Sequence, residues 1–349
     1  MSPRLAVILA LAALPGFCED WSPRLAAQYL DSRQKEWFAW PRAMTPEGPC
    51  VSCHTGVTYL LARPALRRAL GESQPTAYET GLLNGMRARV AKKDPKALAK
   101  EPVSQKLGVE AILSALFLAI EDTGRPTMSP EASQAFEQLW SSQVREGKAK
   151  GAWPWFSYDL DPWETPESVF YGAALAALAA GSAPGEYRDR PEIRERVNGL
   201  NEYLKREQQT QPLHNRLTLL WASSKLPSAL PESLRRPIID EILGKQQADG
   251  GWTIESLGPW EPHPQAPLSV GSNSYATGFV AFVLQQAGVA RSHPGLRGAL
   301  RWLASHQDRQ SGCWPADSMN KRYEIDAMPV RFMQDAATAF ATLGLLEAR

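Results

Sequence analysis

Apolar stretches with the spacing of an α-helix recur along the chain, and more highly charged stretches separate them. Reading for helical period and for helix-breaking residues predicts six strongly apolar helices. They cover residues 55–70, 107–121, 166–180, 213–224, 274–287 and 335–347. The helices predicted before them, for example over 192–208 and 232–247, carry more charge. A helix that is apolar nearly all round is expected to be buried, with the more charged helices outside it.

A short motif marks the ends of the charged helices: a Gln, then a turn with Gly, then a Trp. Clear copies lie at 139–153, 246–252 and 301–314, and a fainter copy lies at 29–37. Gly permits a tight reversal, and the Trp ring can cover the helix end while its N–H finds a partner. The alternation predicts an all-α fold, an α/α toroid of about six helical hairpins with Gly-x-Trp turn repeats. An open helical solenoid is the alternative.

Composition narrows the class of protein. The 349 residues are 44% hydrophobic, and the formal charge of +1 gives no reason to expect binding to nucleic acid. Residues 5–14 form an apolar run that is too short to span a bilayer and is typical of a secretory signal. We therefore predict a signal peptide at 1–18, a single toroid domain at 19–349, and a periplasmic or otherwise exported protein that does not span the membrane. A core helix is the alternative for residues 5–14.

The clearest chemical motif is Cys50-Val51-Ser52-Cys53-His54. Two thiols followed at once by a His form the attachment pattern of c-type haem. The thiols bind the porphyrin edge and His54 becomes an axial ligand of the iron. We expect covalent haem c on a loop at about 38–54, inserted in the first repeat. A disulfide or half of a zinc site are the alternatives, although a disulfide leaves His54 unexplained and zinc needs further ligands.

The repeats also carry a family resemblance. The Leu-x-x-x-Gln and Gly-x-Trp units resemble those of the squalene-hopene cyclase and protein prenyltransferase superfamily, over about residues 22–349. With the haem motif and the segment 213–216, the chain is similar to a bacterial cyclase-like branch that carries a c-type haem motif. The resemblance implies a toroid with a central cavity for an apolar molecule.

Four residues are candidates for catalysis. A class II cyclase holds its acid in an Asp-x-Asp-Asp run, and Asp159 and Asp161 form an incomplete version in which Pro162 replaces the last Asp. Asp335 is similar to a cyclase acid in position, and His214 opens another apolar helix. Helix capping is the alternative for Asp161 and Asp335, because Asp is favourable at a helix N-terminus. The loops before the apolar helices should meet at one mouth of the ring, near the haem.

These features together predict an exported c-type haem protein. Its expected function is redox chemistry or electron transfer on an apolar ligand, including isoprenoid lipids, with a redox partner protein. The alternatives are a non-catalytic module that binds a lipid or a protein, and a terpene cyclase.

Overall fold

The computed structural model describes residues 21–98, 103–260, 263–266 and 270–347. The predicted signal peptide at 1–18 lies outside these ranges. Within them the chain forms fourteen α-helices and one two-stranded antiparallel hairpin. The helices are α1 (Pro23–Ala39), α2 (Gly56–Ala69), α3 (Ala77–Ala91), α4 (Pro95–Leu98), α5 (Gln105–Glu121), α6 (Pro130–Ser141), α7 (Ser168–Ser182), α8 (Gly185–Arg188), α9 (Pro191–Glu207), α10 (Leu213–Ser223), α11 (Glu232–Leu243), α12 (Ser274–Gln286), α13 (Pro294–Ser305) and α14 (Phe332–Glu347). The hairpin joins β1 (Met44–Thr45) to β2 (Gly48–Pro49).

Six of these helices form an inner ring. They pack in the order α5, α7, α10, α12, α14 and α2, and α3 packs against both α2 and α5. They are the six apolar helices that the sequence predicts, with ends that agree within about three residues. The all-α toroid is confirmed. No helix among the described residues is both long and apolar enough to cross a bilayer.

Inner and outer helices differ in how much of their surface is buried. In α7, twelve residues are buried, among them a continuous run over 170–180. The outer helix α9 buries only one stripe, at Ile193, Val197, Leu200, Tyr203 and Leu204. That spacing of three or four residues places the stripe on the side that faces the ring.

In the three clear copies of the motif, the Gln, Gly and Trp join one hairpin to the next. The indole of Trp153 donates to the carbonyl of Leu139 at 2.7 Å, near the end of α6. Gln143 donates to the carbonyls of Gly151, in its own turn, and Arg196, in the next outer helix. Trp252 with Gln246, and Trp314 with Gln307, form the same set of bonds. The motif therefore links consecutive repeats through backbone carbonyls.

The last repeat closes the ring onto the first. Gln307 accepts a hydrogen bond from the backbone N–H of Ser22 and donates one to its carbonyl. Inside the ring, Asp335 of α14 accepts from Tyr29 and Arg33 of α1, each at 2.8 Å. It also accepts from Thr55 at 2.7 Å, directly before α2. These contacts join the two ends of the described chain, which an open solenoid would leave apart.

Candidate functional site

The loop at 157–167 carries two of the predicted acids to the mouth of the toroid. Its base is held by a bridge in which Leu160 and Glu164 exchange backbone hydrogen bonds. Asp159 has a φ of +54°, a left-handed conformation that is uncommon for a residue with a side chain. Such a conformation costs about 1–3 kcal/mol and persists only where the surrounding structure enforces it. The loop thus presents Asp159 at the surface in a fixed, strained geometry.

Two hydrogen bonds with the side chain of Asn320, which lies far along the chain, hold the backbone of Asp161. Its backbone N–H donates to the side-chain oxygen of Asn320 at 2.8 Å, and the amide of Asn320 donates to its carbonyl at 2.9 Å. Partial burial raises the pKa of Asp161 to about 6, and the negative charges of Glu167 and Asp159 contribute to the shift. Asp161 is therefore a carboxylic acid that retains a proton in weakly acidic solution.

Both acids line a cavity of about 500 Å³, which we call the carboxylate cavity. His214 and Asn215, at the start of α10, line the same cavity, as does Trp260. The cavity's other lining residues are Pro162, Thr165, Pro166, Glu167, Thr210, Gln211, Pro212 and Pro259. The structure thus brings together Asp159, Asp161 and His214. Sequence reasoning missed Trp260, Glu167 and Asn320, which lie outside any recognisable motif.

His214 is buried and fixed by two hydrogen bonds. One ring nitrogen lies 2.8 Å from the hydroxyl of Tyr275, and the other lies 3.2 Å from the side-chain oxygen of Asn215. Burial lowers the pKa of His214 to about 4, so the ring is neutral in neutral solution. Its place in the wall suits it to hold Tyr275 and to shape the cavity, and it carries no proton to donate from an imidazolium.

Asp335, the fourth predicted catalytic residue, lies outside the carboxylate cavity. It is 1% exposed, and its carboxylate accepts hydrogen bonds from Tyr29, Arg33 and Thr55. Its contacts assign it to closing the ring rather than to contacting a ligand.

The haem motif lines a second cavity of about 430 Å³, the cysteine cavity. Cys50, Cys53 and His54 all face it. Apolar side chains form much of the remaining wall, including Trp37, Trp40, Val109, Leu113, Phe156 and Phe332. Ser52 sets the turn, because its hydroxyl accepts hydrogen bonds from the N–H groups of Thr55 and Gly56 at the start of α2. The two cysteines are free thiols, and burial raises the pKa of each.

His54 stands out because its ring Nδ1 is buried without a hydrogen-bond partner. The ring stacks on Phe332, with the centroids 3.7 Å apart. Burial, with a smaller contribution from the charge of Arg33, lowers the pKa of His54 to about 3. The imidazole is neutral, which is the form that binds a metal.

A small third cavity of about 210 Å³ lies between the other two. It is lined by both His54 and Asp161, with Trp163, Glu164 and Asn320. The haem motif and the acidic loop therefore lie at the same mouth of the toroid.

Comparison with known proteins gives the class of fold. No protein-family model matches the chain, and no curated protein matches it in sequence. Among solved structures, a family 88 glycosyl hydrolase from Bacteroides vulgatus superposes with a TM-score of 0.55 and 12% identity, over 94% of this chain and 100% of that one. A polysaccharide lyase superposes with a TM-score of 0.52 and 15% identity, over 93% of this chain and 96% of the other. The chain shares the α/α toroid fold of these carbohydrate-processing enzymes.

Two predictions are corrected by these matches. Membership of the squalene-hopene cyclase and prenyltransferase superfamily is wrong, because the toroids that match belong to a different family of enzymes. The Gly-x-Trp turn joins one hairpin to the next. It therefore indicates the toroid fold but does not identify the family. Haem-linked redox chemistry or electron transfer on an apolar ligand is contradicted as the function, together with its cyclase alternative. Across the described ranges, no three His, Cys, Asp or Glu side chains converge to hold a metal ion, so an iron site built from side chains alone is not supported.

Proposed function

We propose that the protein hydrolyses glycosidic bonds of uncharged sugars in the carboxylate cavity. The observation that carries the proposal is the pair Asp159 and Asp161, of which Asp161 has a pKa raised to about 6. Hydrolysis of a glycoside needs one carboxylic acid that protonates the leaving oxygen and one carboxylate on the other side of the bond. The two matched toroids support the proposal, since their names describe a glycosyl hydrolase and a polysaccharide lyase.

Each acid has a role that its surroundings suggest. Asp161, half-buried and clamped by Asn320, acts as the general acid on the glycosidic oxygen. Asp159, exposed on the loop, is the carboxylate that activates water or attacks the sugar. Trp260 offers a flat apolar surface for the C–H face of a sugar ring.

The charge of the cavity favours hydrolysis of an uncharged sugar. Its lining includes Asp159, Asp161 and Glu167, but no Lys or Arg of the described chain. An anionic sugar would meet like charges there with no cation to balance them. Elimination from a uronic acid, which places a carboxylate in the site, is therefore disfavoured.

The test uses the full chain with unmodified neutral oligosaccharides and with their dinitrophenyl glycosides. Asp161→Asn should lower cleavage of the oligosaccharides by at least about 100-fold, because general acid catalysis contributes about that much. It should lower cleavage of the dinitrophenyl glycosides much less, since that leaving group needs no proton. Asp159→Asn should impair both substrates.

The exposed carboxylate of Glu186, on α8, provides a matched control through Glu186→Gln. If Asp161→Asn lowers the cleavage rate equally for both kinds of substrate, Asp161 is not the general acid. Full activity in both Asp variants would refute the proposed site.

We also propose that Cys50 and Cys53 carry haem c, with His54 as an axial ligand. The supporting observation is the half-buried, neutral His54, whose ring Nδ1 is buried and unpartnered, beside two free thiols on one largely apolar cavity. Thioether attachment places thiols at the porphyrin edge and the imidazole at the iron, so the three side chains need not converge on one point. When bound, the haem would supply an iron porphyrin at the mouth of the toroid. We propose export of the protein and a redox partner protein together with haem attachment.

The cofactor proposal is tested in a host that attaches c-type haem. The wild-type chain should gain the mass of one haem and show a c-type reduced spectrum. Cys50→Ala with Cys53→Ala should show neither, while Cys313→Ala should show both, because Cys313 lies in the turn of the last repeat. A wild-type chain without the added mass would refute haem attachment.

A further inference from the structure

A buried arginine lies in the cysteine cavity without a carboxylate partner. Arg89 is 8% exposed and lines the cavity from α3. Its guanidinium donates to the carbonyl of Pro49 at 3.2 Å and, at the limit of 3.5 Å, to the hydroxyl of Thr45. Arginine has five N–H donors, so most of them remain for a ligand.

Two acidic side chains near Arg89 are already paired with other cations, while a third, Glu164, lines the same cavity outside ion-pair distance of Arg89. Glu110, which lines the same cavity, forms an ion pair with Lys93. Glu47 forms an ion pair with Lys92 at 2.6 Å. Within the described ranges, no carboxylate lies in ion-pair distance of Arg89. A buried charge without a counter-ion is unfavourable, and a ligand anion would supply one.

Much of the rest of the cavity is suited to an apolar body. Trp37, Val109, Leu113 and Phe332 lie among its walls. Lys106, exposed on α5, is a second cation at the cavity. The apolar walls, with the unpaired guanidinium of Arg89 among them, fit an amphipathic anion better than they fit a sugar or a simple lipid chain.

We infer that Arg89 holds the carboxylate of a flat amphipathic ligand whose apolar body fills the cysteine cavity. The inference rests on the haem proposal, in which that carboxylate is a porphyrin propionate. Arg89 would form a charge-assisted, bidentate hydrogen bond with that carboxylate. The geometry assigns Arg89 to binding and orienting the ligand, separate from its covalent attachment through Cys50 and Cys53.

The experiment uses the full chain produced without haem attachment, titrated with hemin and with hemin dimethyl ester, which has no free carboxylate. Arg89→Gln should weaken the binding of hemin by about 10-fold to 100-fold, as expected for loss of a charged hydrogen bond. Binding of the ester should be unchanged. Arg89→Lys should retain part of the preference for hemin. Arg87→Gln is the matched control, because Arg87 lies on the same helix and pairs with Glu121 outside the cavity.

Equal weakening of hemin and its ester by Arg89→Gln would overturn the inference, since it would show a packing role. No change for either ligand would overturn it as well. If neither porphyrin binds the wild type, the haem proposal fails. In that case pyrenebutyric acid and its methyl ester, followed by pyrene fluorescence, test Arg89 separately. A preference for the acid that Arg89→Gln abolishes would uphold carboxylate binding, and its absence would refute it. Circular dichroism of each variant establishes that the toroid is folded.

Discussion

Removing the charge of Asp335 should open the ring between its first and last helices. Asp335→Asn keeps the size of the side chain but leaves Arg33, which is 1% exposed, with only the exposed carboxylate of Glu36 as a counter-charge. The hydrogen bonds from Tyr29 and Thr55 at 2.8 and 2.7 Å lose their charged acceptor at the same time. Breaking a buried ion pair by removing one partner costs about 3–5 kcal/mol.

Differential scanning calorimetry measures the effect. A loss of about 3–5 kcal/mol corresponds to a fall in Tm of roughly 6–20 °C at about 2–4 °C per kcal/mol. Asp240→Asn is the control, because Asp240 forms an exposed ion pair with Arg236 and should change stability by less than about 1 kcal/mol. The double variant Arg33→Met with Asp335→Leu should be more stable than Asp335→Asn, since it buries no unpaired charge.

Two results would refute this reasoning. A Tm for Asp335→Asn within about 2 °C of the wild type would show that the ion pair does not hold the ring closed. A stable, folded Asp335→Asn without activity would point instead to a catalytic role for Asp335, against the contacts that the structure gives it.

Further predictions concern the repeat turns and the pH dependence of activity. Gly151→Ala should destabilise the chain by several kcal/mol, because its new Cβ would lie 2.2 Å from the carbonyl oxygen of Gly199. Gly124→Ala should lower the free energy of unfolding by only about 1 kcal/mol, since Gly124 has a similar positive φ but no atom within 4 Å of the new Cβ. Urea unfolding measures both variants, and equal losses of stability would contradict the close-packing argument. Oligosaccharide hydrolysis should fall as the pH rises through the pKa of Asp161, about 6, because the general acid then loses its proton. In a pH-rate profile, activity that rises above pH 7 would contradict this assignment.

The sequence predicts the toroid well because the physical causes are local and repeated. Burial on all sides gives an inner helix such as α7 a nearly continuous apolar sequence. Each clear copy of the Gln and Trp motif forms the same bonds to backbone carbonyls, so the repeat is visible without any knowledge of the tertiary structure.

The candidate site is less visible in the sequence because distant residues build it. Asn320 clamps Asp161 across 159 residues of chain, and Trp260 comes from a loop with no repeat pattern. The spacing of Asp159 and Asp161 resembles part of a cyclase motif, although their cavity is lined by polar and charged side chains. Asp335 stands at a helix start in the sequence, and only the fold shows that Tyr29, Arg33 and Thr55 occupy its carboxylate.

The most direct test of the account is the chemistry of the products from neutral oligosaccharides. The purified chain is incubated with them in water enriched in heavy oxygen, and the products are analysed by mass spectrometry. Hydrolysis by the Asp159 and Asp161 pair predicts a reducing sugar that has gained one heavy oxygen, formed at least about 100-fold more slowly with Asp161→Asn. An unsaturated sugar without heavy oxygen, or labelled product that is unchanged in Asp161→Asn, would contradict the account.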